Sequence, residues 1–206
     1  MSQYHQYRVD VPEGEIGNWR VKRFTVDKAA ADIERMRALF SSAAGRGVPE
    51  GDYTQLTRSG TVVMSDTPDE IRDHIFFMRR ATGRVLIHGL GLGVALNHIL
   101  QKEEVEHVTV IELAPEVINL VGPHWLERYG SDQLEIIQAD AFTWKPPKGI
   151  RYNTVWHDIW DDICTDNLPE MHKLHRRYGR RCDWQGSWCR EMLEHRRKQE
   201  KQHRYW

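Results

Sequence analysis

Arg84-Val85-Leu86-Ile87-His88-Gly89-Leu90-Gly91-Leu92-Gly93 is the stretch whose reading decides the fold. A short apolar run ends in three alternating glycines, and an amphipathic segment from Val94 to Gln101 follows at once. The pattern reads as a strand, a tight turn and the first turn of a helix. Glycines let the backbone press against a ligand, and the helix start offers it unpaired N–H groups. A glycine turn alone fits many nucleotides, so its meaning depends on what the chain brings beside it.

Downstream the chain alternates. His107 to Ile111 is a continuous apolar strand ending in Glu112, and Pro115 opens a helix to about Tyr129, expected to be interrupted at Gly122-Pro123. Leu134 to Gln138 is a third strand, followed by Ala139-Asp140-Ala141, and Thr154 to Trp156 is a fourth, ending at His157-Asp158. Strands alternating with helices imply a mostly parallel sheet with right-handed crossovers. Beyond Asp158 the alternation stops: Leu168 to Arg177 and Ser187 to about His203 read as helices, and no further buried strand is evident in Gly179 to Gly186.

Upstream, Asn18 to Val26 has the β-branched and aromatic content of a strand. Asp27 caps a helix to about Ala44, with Ala30, Ile33, Met36, Leu39 and Phe40 on one face and Gly45 and Gly47 ending it. Tyr53 to Thr57 and Thr61 to Met64 flank Arg58-Ser59-Gly60 as a hairpin. Thr67, Pro68 and Glu70 make a capping box for a helix to Arg80, with Ile71, Ile75 and Met78 inward. The expected organisation is an N-terminal extension over 1–82, a Rossmann-like core over 83–162 and a basic helical segment over 163–206, packed as one unit.

Composition sets the bounds. In 206 residues, 40% hydrophobic and 29% charged, the formal net charge is -1, which excludes a globally basic nucleic-acid binder. From Glu170 onward eleven Lys/Arg stand against five Asp/Glu. A solvated helical face is the favoured reading of that charge over nucleic-acid contact. Cys164, Cys182 and Cys189 are odd in number and widely placed, and the start carries no secretory-signal pattern, so free thiols in the cytoplasm are expected. No apolar run approaches the ~18 residues of a membrane span.

In an open parallel sheet, ligands bind beyond the carboxyl ends of the strands where the order reverses. The residues at those ends are His88 with the glycines, Glu112 with Leu113, Asp140 with the N–H of Ala141, and His157 with Asp158. Glu112 lies nineteen residues past Gly93, near the ~20-residue separation at which an acid meets ribose hydroxyls. Asp140 and the Ala141 N–H suit an adenine edge. The turn is G-x-G-x-G, with no basic group nearby for phosphate, so S-adenosyl-L-methionine fits better than a dinucleotide. His157 beside Asp158 is a candidate base. The acids Asp158, Asp161, Asp162 and Asp166 read as a solvated loop, and His172, His175, Cys182 and Cys189 have poor zinc spacing, so no metal is assigned. Trp156, Trp160, Trp184 and Trp188 would line an apolar or cationic pocket, or pack the core.

From about Tyr53 to Asp162 the chain resembles the class I S-adenosylmethionine-dependent methyltransferases, most closely their spermidine synthase branch. The resemblance rests on the hairpin with Leu56-Thr57, the helix with Asp69-Glu70 and His74, VLIHGLGLG, VTVIELAPEVINLV and QADAF. It implies that Gly89, Gly91 and Gly93 contact the ligand's methionine part, Glu112 its ribose and Asp140 its adenine. Asp158 would face a substrate amine as base or orienter, with His74, Trp160, Asp161 and Asp162 on the substrate side. The branch's D-S-S-D-P is replaced by Asp158-Ile159-Trp160-Asp161-Asp162, and its sheet usually continues where only about 48 residues remain here. The expectation is therefore an α/β, Rossmann-like, truncated class I methyltransferase fold with an N-terminal helix and β-hairpin extension and a helical C-terminus. Its expected activity is methyl transfer to a small-molecule acceptor. Aminopropyl transfer, or a degenerate binding module working through the basic helices, are the alternatives. An open sheet edge would favour a homo-oligomer.

Overall fold

A computed structural model of the chain describes residues 4–40 and 47–203, the side chains of residues 34, 37–40 and 203 aside. The glycine-turn strand, β5 (Gly83–His88), is the centre of a five-stranded parallel sheet. β6 (Val105–Glu112) and β7 (Leu134–Gln138) follow on one side of it, β8 (Tyr152–His157) and β9 (Cys182–Ser187) on the other. The order β7-β6-β5-β8-β9 reverses between β5 and β8, so the crevice above their carboxyl ends is the place for a ligand. This is the Rossmann-like α/β sheet expected from the alternation.

β9 is a correction. The stretch between the two expected helices, together with Ser187 from the expected start of the second, pairs with β8 in parallel, from Tyr152↔Cys182 to His157↔Ser187. Its sequence, Cys-Asp-Trp-Gln-Gly-Ser, hides it, because an edge strand carries polar residues that a central one excludes. The last helix, α6 (Arg190–His203), starts three residues later than expected.

Both faces of the sheet are covered, as a parallel sheet requires. Val85, Ile87, Val108, Val110 and Trp156 face one cluster, which includes α2 (Pro68–Arg80), α3 (Val94–Ile99) and α4 (Pro115–Tyr129). Phe77 stacks on Trp156 there, with centroids 4.9 Å apart and planes at 4°. Leu86, Ile111 and Val155 face the opposite cluster under α5 (Leu168–Tyr178). Alternation of side chains along a strand produces this division. α4 runs unbroken through Pro123, since tertiary packing overrides the expected break. Gly122 is buried, and a Cβ on it would stand 3.4 Å from Ile136.

The second sheet is antiparallel, in the order β1-β2-β3-β4: β1 (Gly14–Ile16), β2 (Trp19–Val26), β3 (Gly51–Arg58) and β4 (Thr61–Ser65). The expected hairpin is β3–β4. α1 (Lys28–Phe40) lies between β2 and β3 in sequence. Its expected inward residues Ala30, Ile33 and Met36 face solvent, the last two 52% and 61% exposed, and Ala31 is the buried one among the helix's described side chains. The expected helix end near Ala44, with Gly45, and the side chains of Leu39 and Phe40 lie outside the described residues. Asp66 ties the N-terminal segment to this sheet, accepting from the Val9 and Thr54 N–H groups at 3.1 and 2.7 Å. No helix among the described residues is long and apolar enough to cross a membrane.

Candidate active site

A cavity of about 430 Å³ opens above the carboxyl ends of β5, β6 and β8, roofed by the antiparallel sheet. Its floor is the glycine turn. Gly89 and Gly91 line it with φ of +95° and +51°. A Cβ on Gly89 would sit 1.9 Å from the Asp158 carbonyl oxygen, and one on Gly91 2.4 Å from Met64 Sδ. These positions need glycine both for left-handed backbone and for space. Gly93 differs from its expected role. It is the N-cap of α3 at φ +76°, does not line the cavity, and faces Trp125 Nε1 at 2.2 Å from where a Cβ would be.

Glu112 and Asp140 stand where the strand-end argument put them. Glu112 Oε2 accepts from the Leu90 N–H and Oε1 from the Ala114 N–H, each at 2.8 Å. These bonds lock the carboxylate, which lines the cavity, between the glycine turn and the start of α4, and each oxygen keeps a second lone pair. Leu113 beside it is 68% exposed and lines the rim. Asp140 Oδ1 accepts from the Phe142 N–H at 2.8 Å, which holds the turn that presents Ala139, Ala141 and Phe142 to the cavity.

The other wall is acidic. Asp158 follows β8, and its Oδ2 lies 3.7 Å from His74 Nε2 on α2. Burial pushes the Asp158 carboxyl up; His74 opposes the rise, while Asp73 and Glu112 add to it. His74 is buried, and its Nδ1 has no hydrogen-bond partner among the described residues. One turn before His74 stands Glu70, which sequence reading assigned to a capping box. Thr67 does begin the helix, but its hydroxyl does not cap it. Glu70 reaches past it to Ser65, accepting from the N–H at 2.5 Å and from Oγ at 2.7 Å. Burial raises its carboxyl to about 7 despite those bonds, and Asp158 and Asp73 contribute. Glu70 lines the cavity. The spacing of Glu70 and His74 at i and i+4 on one helix was the available signal.

At the mouth, Arg58 of β3 pairs with Asp161 and lies 5.3 Å from the Trp19 ring centre. Trp160 Nε1 donates to Glu170 at 3.0 Å, and Trp160, Asp161, Glu170 and Trp188 all line the cavity. Asp162 does not: its backbone carbonyl accepts from Asn167, closing the loop before α5. Trp156 and Trp184 stack with each other, and neither lines this cavity.

His88 and His157, expected at the ligand, lie below the cavity. Both are fully buried, their Nδ1 atoms 2.7 Å apart, and neither lines the cavity. Successive residues at a strand end face opposite sides, so Asp158 enters the crevice and His157 the core beneath. His157 Nε2 meets Gln185 Oε1 at 3.2 Å, which makes His157 the Nδ1 acceptor and His88 the donor. Burial holds His88 at about 3, with Arg177 adding to the drop, and holds His157 well below the usual imidazole range, with His88 and His175 adding. Both are neutral packing residues at working pH. No group of three or more His, Cys, Asp or Glu among the described residues could hold a metal ion.

An open parallel sheet, a glycine turn after its central strand and acids after the next two define a Rossmann-like α/β fold with a cavity at its strand ends. The chain resembles the class I S-adenosylmethionine-dependent methyltransferases and, within them, the spermidine synthase-like branch. It is 32% identical over 130 residues to Polyamine aminopropyltransferase 1 of Streptomyces coelicolor, covering 58% of this chain and 24% of that protein. It is 29% identical over 101 residues to Polyamine aminopropyltransferase 2 of Hyperthermus butylicus, covering 47% of this chain and 30% of that protein. The matched region thus spans less than a third of either relative. Among solved structures it is similar to spermidine synthase from Thermotoga maritima, with TM-score 0.47 and 14% identity over 84% of this chain and 52% of that one. No family model matches the chain.

Proposed function

We propose that the protein is a transferase that moves an aminopropyl group from decarboxylated S-adenosylmethionine to a cationic amine. The observation carrying this reading is the charge inventory of the cavity. Among the described residues, Glu70, Glu112, Asp140, Asp158, Asp161 and Glu170 line it against one Lys or Arg, and that residue, Arg58, is paired with Asp161. A donor carrying a carboxylate would enter without a free cation to meet it, whereas a decarboxylated donor and an ammonium acceptor both suit acids. The names of the two relatives point the same way.

The residues fit an adenosyl sulfonium. Gly89 and Gly91 present backbone without a side chain to the cavity floor, where a ligand can approach closely. Glu112 has lone pairs for two ribose hydroxyls and Asp140 with Ala141 for an adenine edge. Bound there, the donor supplies an electrophilic carbon attached to a positively charged sulfur that leaves as a neutral thioether. The chain's own contribution is positioning: Asp158, steadied by His74, orients the acceptor nitrogen, and Trp160 with Trp188 walls off water.

Calorimetry with decarboxylated S-adenosylmethionine, S-adenosylmethionine and 5′-methylthioadenosine tests the reading, with mass spectrometry of products from a diamine such as 1,4-diaminobutane. The decarboxylated form should bind more tightly than the parent, and the diamine should gain one aminopropyl group. Tighter binding of the parent with methylated product would instead make the protein a methyltransferase, and binding of none would end both readings.

A further inference from the structure

We propose that Glu70 is the base that takes the proton from the acceptor's ammonium nitrogen, held ready for either charge by the Ser65 and Thr67 hydroxyls. This rests on the amine-transfer reading above and assigns a catalytic role to a residue that sequence reading placed in a helix cap.

The geometry supplies two things a base needs. The first is access: Glu70 lines the same cavity as Asp158 and His74, one helical turn from His74. The second is a hydrogen-bond shell that suits both protonation states. Ser65 Oγ lies 2.7 Å from Glu70 Oε1 and 3.0 Å from Thr67 Oγ1. With Glu70 ionised, Thr67 donates to Ser65 and Ser65 to Glu70. With Glu70 protonated, its O–H donates to Ser65 Oγ, whose hydrogen turns to Thr67. Hydroxyl hydrogens rotate freely between these arrangements, so no buried polar atom is orphaned in either. The Ser65 N–H, 2.5 Å from Oε2, serves the other oxygen throughout.

The step moves one proton. An N–H bond of the ammonium breaks, its electron pair stays on nitrogen, and an O–H bond forms on Glu70, which later returns the proton to water. Asp73 and His74 on its own helix, Asp158 after β8, and Glu112 and Arg58 elsewhere around the cavity set the field. Two of these, Asp158 and Asp73, are acids that, with burial, lift Glu70 to about 7. A base is most effective with a pKa near the working pH. Asp158, attracted by His74, is left to orient the amine.

The test is Glu70→Gln, whose carbonyl can accept from the Ser65 N–H and whose amide can donate to Ser65 Oγ, so the fold is kept. Expected are a fall in kcat of about 10²-fold or more, donor affinity within about threefold of wild type, and loss of the rising limb of kcat against pH near 7. Thr67→Val is the second variant. It keeps the carboxylate but leaves the Ser65 hydrogen no acceptor when Glu70 is protonated, so the limb should move to lower pH. Wild-type kcat with an unchanged limb in Glu70→Gln overturns the assignment while leaving the transferase reading intact. Failure of the wild-type protein to bind any adenosyl sulfonium overturns both.

Discussion

Glu112→Gln would separate the carboxylate's work in the fold from its work on a ligand. In the native chain its two oxygens accept from the Leu90 and Ala114 N–H groups, each at 2.8 Å. Glutamine keeps one acceptor and turns its NH₂ against the other N–H. Hydrogen bonds to charged groups contribute about 1.5–3 kcal/mol each, and the partial exposure of Glu112 argues for the lower end. A folding loss of about 1.5 kcal/mol should lower Tm by roughly 3–6 °C in a chain of this size. The ribose hydroxyls would meet one neutral oxygen in place of a carboxylate, so 5′-methylthioadenosine should bind about 10- to 100-fold more weakly. Thermal denaturation by circular dichroism and calorimetry read the two effects separately. An unchanged Tm would mean the two backbone bonds contribute nothing. Unchanged affinity would mean that the nucleoside does not sit over β5 and β6.

The glycines of the turn should part company in the same assays. Gly93→Ala forces a side chain into left-handed backbone against Trp125, whose Nε1 donates to the Leu92 carbonyl at 3.1 Å, so about 2–4 kcal/mol of stability should be lost. Affinity of the folded variant should stay within about twofold, because Gly93 does not line the cavity; lost binding with intact stability would refute that placement. The buried imidazoles predict acid lability: His88 and His175 titrate at about 3 and about 4 in the fold, and His157 lies far below its usual range. The unfolded chain takes up protons below about 6.5 while the native one does not. Urea-derived stability should therefore fall as pH drops from there toward 4, by up to about 1.4 kcal/mol per pH unit per histidine. Glu70, raised to about 7, works in the opposite sense, its contribution present at low pH and lost as pH climbs through 7. His88→Gln should flatten the acid decline, and an unaltered slope would show that His88 protonates inside the fold.

Much of this molecule is legible in its sequence. The run into the glycine turn, the apolar strand ending in Glu112 and the Thr67-Pro68 helix start are local signals, set by backbone conformation and by burial on both sheet faces. They specify the sheet's central strands and the acids at their ends without reference to distant residues. Other features depended on tertiary contact. β9 is polar because it is an edge, and only its pairing with β8 makes it a strand. Glu70 serves the cavity and not a capping box because Ser65 of β4 comes within its reach. The division of labour between His157 and Asp158 turns on which sheet face the crevice occupies, and neighbours one residue apart have the same local pattern whichever way they point. Sequence determines the period of a strand; the packing of helices against its two faces decides which phase meets the ligand.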